Sequence, residues 1–356
     1  MSELKKETAK LMFTGDLMAH TKMQRAYYSE ESGTFDFSPV FRHMKGVFEN
    51  ADEVVGNLET CISRSSTLSK DKSHLENGKP LMNGPQEFLY ALKDCGVTAL
   101  TMSNNHNTDC GLNGIYETVD AVEKEGFKHT GLYRNSDEKR YLILDVNGIK
   151  VGIVSYAFFY NDVSSFSEEE IGEHLAYFSK DRLKKDVADM KKDGAEYIVC
   201  CFHCGTEYKF SISRRQLIID GIMAANGVDY VIGHHPHVVQ HKAVRFEGFK
   251  LTPVVYSVGN LTTTSKKVRI RESVVVSITL ERDSHGKVKL VKNEFIPCYS
   301  SNARSEKRPF VIVPKGASAK LDEKYKNVFD ETMNQLTRLG FFQERVIDKK
   351  ALKESL

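Results

Sequence analysis

The densest concentration of potential chemistry in this 356-residue sequence is Gly233-His234-His235-Pro236-His237, three imidazoles directly after the apolar run Val228 to Ile232. Histidine is the commonest metal ligand and the side chain most easily tuned for proton transfer. Four other clusters occupy the same position after an apolar run. They are Asp16 after Leu11 to Thr14, Glu59 in Gly56-Asn57-Leu58-Glu59, Asn105 and His106 after Val97 to Met102, and His203 after Tyr197 to Phe202. One strand-terminal Asp or His is more often a hydrogen-bonded cap than a ligand. Six such residues, Asp16, Glu59, Asn105, His203, His235 and His237, make a pattern that capping alone does not explain.

Mixed carboxylate, amide and imidazole donors suit a divalent Mn²⁺, Fe²⁺ or Zn²⁺ ion, without the thiolates of a structural zinc site. Six donors are enough for one or two ions, and a pair of ions would activate water and clamp the oxygens of a displacement reaction. If the turn through Pro236 is extended, His235 and His237 face one side and His234 points away. In Asn104-Asn105-His106 the Asn105 amide can ligate while His106 serves as general acid, the alternative being an Asn-rich turn. Glu207 is a second acid near His203 that could orient an imidazole or contact substrate. His20 reads as a loop residue. Arg214 and Arg215 would bind a carboxylate or phosphate on the substrate, or else begin a solvated helix. Cys201 and Cys204 have no second cysteine pair to close a zinc site and read as packing thiols.

These residues need a frame that gathers strand ends. Apolar strands and amphipathic helices alternate from Leu11 to Gly126, with helices expected over Pro85 to Asp94 and Gly114 to Glu125. Parallel strands would bring the polar ends to one rim of the sheet. Asn147-Gly148 predicts a tight hairpin between Tyr141–Val146 and Lys150–Tyr156. A helix over Asp181 to Lys192 precedes the strand ending at His203. Pro253 to Val258 ends at Gly259-Asn260, and Glu272 to Glu281 alternates like an antiparallel strand. Residues 1–300 are therefore read as one domain, and 301–356 as a helical extension with an amphipathic helix around Tyr325 to Leu339.

Composition narrows the partners. Fifty Lys and Arg against 48 Asp and Glu leave a net charge of +2, too little to argue for nucleic acid or an anionic membrane. No basic and aromatic stripe links the motifs, which also disfavours nucleic acid. The sequence has no apolar stretch suited to a signal peptide or membrane helix, and the seven cysteines form no disulfide framework, so the chain reads as cytoplasmic.

The ordered motifs FTGDLM, FDFSPVF, VVGNLET, SNNHNTDCG, CFHCGTEY, GHHPHVVQ and YSVGN resemble the bacterial CapA or PgsA-type proteins of capsule and poly-γ-glutamate synthesis. The resemblance covers about Leu11 to Leu261. It implies a calcineurin-type metallophosphoesterase-like fold, a four-layer α/β/β/α sandwich with mixed sheets. It also implies that Asp16 and His237 serve one ion, Asn105, His203 and His235 the other, and Glu59 bridges them. His106 takes the place of the catalytic histidine, and Asn260 joins Arg214 and Arg215 at the substrate. The family's usual Asp-x-His opening is absent, because Leu17 and Met18 follow Asp16. The resemblance implies an anionic substrate, a phosphoester or poly-γ-glutamate, handled beside membrane capsule machinery. Two functions are consistent with this: a metal-dependent hydrolase, or a non-catalytic protein that binds the polymer for its synthase.

Overall fold

The protein, represented by a computed structural model, is described over residues 7–70, 81–302 and 309–338. The first half runs β1 (Thr8–Leu17), α1 (Thr21–Tyr27), the small hairpin β2 (Tyr28–Ser29) and β3 (Thr34–Phe35), α2 (Ser38–Phe41), α3 (Lys45–Phe48), β4 (Glu53–Leu58), α4 (Glu87–Asp94), β5 (Ala99–Thr101), α5 (Gly111–Lys124) and β6 (Lys128–Thr130). The second continues with β7 (Leu142–Val146), β8 (Ile149–Ala157), α6 (Glu168–His174), α7 (Lys180–Lys192), β9 (Tyr197–His203), α8 (Arg214–Ala225), β10 (Tyr230–His234), β11 (Lys242–Glu247) and β12 (Lys250–Val255). It closes with β13 (Glu272–Arg282), β14 (Val288–Asn302), β15 (Phe310–Pro314) and α9 (Ala319–Thr337).

Two mixed sheets result. The seven-stranded sheet has the order β15-β14-β13-β1-β4-β5-β6, and the six-stranded sheet β11-β12-β10-β9-β8-β7. Period-two alternation sorts each strand between two cores. Leu11, Phe13, Val55 and Ala99 of the first sheet meet Val151, Ile153, Val199 and Ile232 of the second in the layer between the sheets. Their neighbours Met12, Val54 and Leu100 face outward against Phe88, Leu92, Ile115 and Val119 of α4 and α5. On the far side, Val154, Ile198 and Val231 pack against Leu183, Met190, Ile219 and Met223 of α7 and α8. Helices therefore cover both outer faces, giving the α/β/β/α sandwich expected from the sequence. Each fully buried Phe or Leu adds about 1.5–3 kcal/mol.

The hairpin at Asn147-Gly148 forms as read, with φ of 53° and 86°, the left-handed pair that a two-residue type I′ turn requires. The segment after residue 300 departs from the helical reading. Phe310-Val311-Ile312-Val313-Pro314 adds edge strand β15 to the larger sheet, antiparallel to β14. Pro297 disguises β14 as a strand that has ended. It is tolerated because the ladder with β15 begins only at Cys298, and at the end of that ladder Pro297 is needed only as an acceptor, its carbonyl taking the Lys315 N–H at 2.9 Å. Helix α9 is more than an appendage: Phe329 packs with Tyr299 and Val313, and Leu336 enters the core between the sheets. The expected helix end at Leu339 lies outside the described residues. Among the described residues, no helix is long and apolar enough to cross a membrane.

Candidate metal centre

The site lies where the strand ends of both sheets converge, so it is built from two rims where the sequence suggested one. Strand β1 is displaced in its pairing with β4 between Phe13 and Asp16, and this irregularity turns Asp16 into the interior. Gly15 permits it: a Cβ there would lie 2.2 Å from the Gly259 carbonyl oxygen. Asp16 N–H donates to that same carbonyl at 3.0 Å. Glu59 follows β4, Asn105 follows β5, and His203 ends β9 directly beside His234 of β10. Gly233 makes a matching close approach, its absent Cβ falling 2.0 Å from the Tyr256 carbonyl oxygen.

The six predicted donors come together. His203 Nε2 lies 2.7 Å from Asn105 Oδ1 and 3.2 Å from His235 Nδ1. Glu59 Oε1 lies 3.5 Å from His203 Nε2 and 3.7 Å from His237 Nε2. His237 Nδ1 lies 3.2 Å from Asp16 Oδ2. All six side chains are buried. His235 and His237 reach the cluster differently from the expected extended turn. Both are left-handed, with φ of 94° and 56°, a conformation uncommon for non-glycine residues and concentrated at functional sites. Phe159 stands edge-on to the His235 ring, 4.8 Å between centroids.

His234 corrects the sequence reading. It points inward, with Nδ1 2.9 Å from Asp16 Oδ1, because it still belongs to β10 and alternates with Gly233. Asn57 donates to the same oxygen at 2.8 Å. Asn57 lies two residues before Glu59, so strand periodicity already placed both on one face. Asp109 was likewise missed. Its Oδ2 lies 2.7 Å from His106 Nδ1, a pairing that the i, i+3 spacing in His106-Asn107-Thr108-Asp109 could have signalled. Asn260 orients a candidate ligand: its Oδ1 lies 2.8 Å from His237 Nδ1.

Glu207 sits exposed at the rim and acts on Glu59 and His237 through its charge. Arg214 and Arg215 are not brought to the cluster. They line a separate groove of about 780 Å³ with Phe158, Phe178 and Lys180, where the Arg215 guanidinium stacks 3.8 Å from the Phe158 ring centre. Their place at the start of α8 directs them there. Cys201 and Cys204 are buried, and burial pushes both thiols up to about 12, so they remain neutral packing groups.

Electrostatics divide the two carboxylates. Burial pushes Asp16 up, but hydrogen bonds from His234 and His237 outweigh it and hold the carboxyl well below its ordinary range. Glu59 has no such support. Burial, then the Asp16 charge, drives it well above the usual range. Burial and the neighbouring imidazoles keep His203 well below the usual histidine range and His235 down at about 3, so both rings are neutral and can offer lone pairs.

This donor set fits a divalent cation. Neither Glu59 oxygen nor His203 Nδ1 has a hydrogen-bond partner, although all are buried. Leaving such groups unpaired costs about 1–3 kcal/mol each. Ligand atoms of Asp16, Glu59 and His203, and those of Glu59, His235 and His237, lie within 4.8 Å of one another. Glu59 is common to both groups, as expected of a bridging carboxylate.

The layered fold is of the metallophosphoesterase type, and it gathers this buried cluster where the strand ends of its two sheets meet. A 5'-nucleotidase precursor from Thermus thermophilus shares the fold at a TM-score of 0.50 and 14% identity, over 92% of this chain and 59% of that one. The chain belongs to the family described as bacterial capsule synthesis protein PGA_cap, whose model matches residues 10–265. The capsule biosynthesis protein CapA of Bacillus anthracis is 29% identical over 77% of this chain and 65% of its own length. The PGA biosynthesis protein CapA of Bacillus subtilis strain 168 is 27% identical over 77% of this chain and 68% of its own. This chain thus matches about two thirds of either relative.

Proposed function

We propose that this protein is a divalent-metal-dependent hydrolase acting on an anionic substrate, a phosphoester or a γ-glutamyl amide of an envelope polymer. The observation that carries the reading is the buried, unpartnered Glu59 carboxylate between His203 and His237. Asp16, Glu59, Asn105, His203, His235 and His237 would hold one or two ions of the Mn²⁺, Fe²⁺ or Zn²⁺ type. Bound there, the metal would supply Lewis-acid activation of water.

The remaining work falls to the chain. Asp109 fixes His106 with a proton on Nδ1, which makes Nε2 the nitrogen that exchanges a proton with the leaving group. The Asn104 amide oxygen accepts from the His106 backbone N–H at 3.2 Å and anchors that turn. His234 and Asn57 keep Asp16 ionised and aimed. The fold hosts many chemistries, so the assignment rests on the site. The names of the CapA relatives support a role in capsule or poly-γ-glutamate synthesis, and contact with membrane capsule machinery is part of the proposal.

Elemental analysis of the purified protein, coupled to hydrolysis of a chromogenic phosphodiester and a γ-glutamyl anilide with and without Mn²⁺, tests the proposal. Bound metal with turnover lost in His106→Ala supports it. Metal without turnover on either substrate would refute hydrolysis and favour the polymer-binding alternative.

A further inference from the structure

Beside the metal centre lies a second, smaller pocket of about 250 Å³ that reaches His237 and Asn260. Its size suits one residue-sized group, being below the range of drug-sized cavities. Lys22 and Lys266 stand on its walls with Tyr208, Thr264 and Ser265, and no carboxylate lines it. Both lysines are exposed, and neither forms an ion pair with a described residue. His20 also faces this pocket, and its Nε2 is buried without a hydrogen-bond partner. A buried, unpaired imidazole nitrogen costs stability unless something bonds it. Met18 and Ile270 add an apolar patch to the wall.

We infer that this pocket binds a second anionic oxygen group of the substrate, next to the bond presented to the metal, through Lys22, Lys266 and His20. The inference rests on the hydrolase reading and names the chemistry its substrate must carry. Ammonium groups act as point charges and accept either a carboxylate or a phosphoryl group. Hydroxyls and one neutral imidazole complete the oxygen contacts. The apolar patch accommodates the methylenes of an acyl or glutamyl unit. His20, which the sequence presents as an ordinary loop residue, thereby gains a ligand-binding role.

The test is calorimetric binding of inorganic phosphate and of γ-glutamylglutamate to the full chain, once loaded with Mn²⁺ and once treated with chelator. The expected result is that K22A/K266A binds at least one anion about tenfold more weakly or worse in both states, with steeper salt dependence in the wild type. His20→Ala should weaken binding about 3–10-fold, and His20→Gln, which keeps a polar atom near Nε2, should recover most of that loss. Loss confined to phosphate identifies a phosphoryl group; loss confined to the dipeptide identifies a carboxylate. Equal affinities in wild type, K22A/K266A and His20→Ala would overturn the inference, as would no binding of either anion to the wild type. The chelated arm keeps it distinct from the hydrolase proposal, because a protein without turnover still reports on the pocket.

Discussion

Replacing Glu59 by Gln should raise the melting temperature of metal-free protein while abolishing most of its response to metal. Without a cation, the Glu59 carboxyl is buried with both oxygens unpartnered and Asp16 close enough to oppose its ionisation. A neutral amide of the same shape removes the charge that burial and Asp16 oppose, worth about 1–3 kcal/mol. A 356-residue chain unfolds with an entropy of roughly 0.7 kcal/mol/K at about 2.1 cal/mol/K per residue. The metal-free variant should therefore melt about 1–4 °C above the wild type. Mn²⁺ at a hundred times its dissociation constant contributes about 2.7 kcal/mol to the wild type, a rise of about 4 °C. The variant should gain less than half of that. Scanning calorimetry at pH 7.5, with chelator or Mn²⁺, gives all four values. A metal-free variant that melts below the wild type yet keeps the full Mn²⁺ shift would refute the assignment of Glu59 as the shared ligand.

Asp109→Asn should lower kcat on any substrate turned over by about tenfold or more while metal content stays unchanged, because His106 loses its tautomer-fixing partner; co-purified metal and kcat are measured together. Gly233→Ala should destabilise the fold by about 3 kcal/mol or more, since its Cβ would collide with the Tyr256 carbonyl oxygen at 2.0 Å. Denaturant titration reads this, and a loss under 1 kcal/mol would count against the close approach. Glu272, buried beside Arg269 at 2.8 Å, is pushed up by burial from 4.5 to about 7. Its folded form favours the proton, so its cost to folding is absent below pH 4.5 and complete above pH 7. Glu272→Gln should thus add up to ~3 kcal/mol at pH 8 and almost nothing at pH 4.5; an equal gain at both values would contradict that sign.

Much of the centre was legible because strand ends in α/β sheets carry chemistry, and Asp16, Glu59, Asn105, His203, His235 and His237 each followed an apolar run. What escaped were contacts between elements remote in sequence. His234 bonds Asp16 across 218 positions, a partnership that local periodicity cannot encode. The left-handed backbone at His235 and His237 is likewise imposed by neighbouring loops, among them Tyr208, whose N–H donates to the Pro236 carbonyl at 2.8 Å. Strand β15 was hidden because it is a short apolar run beyond a proline. Arg214 and Arg215 show the reverse error: nearness in sequence to His203 suggested a shared site, and α8 carries them into another groove.

Strand β1 is the first strand among the described residues, yet it lies in the middle of the larger sheet, with β13 on one side and β4 on the other. Thr8 pairs with Glu281, and Asp16 is held by the carbonyl of Gly259. During synthesis the candidate ligand Asp16 therefore emerges long before the partners that shape it. Closing so long a loop makes assembly slow, as expected of non-local topologies. A ribosome-bound chain ending before residue 259 would lack both the Gly259 clamp on Asp16 and the Asn260 amide that orients His237. The proposed ion site would therefore be complete only after residues near both ends of the described chain have been made.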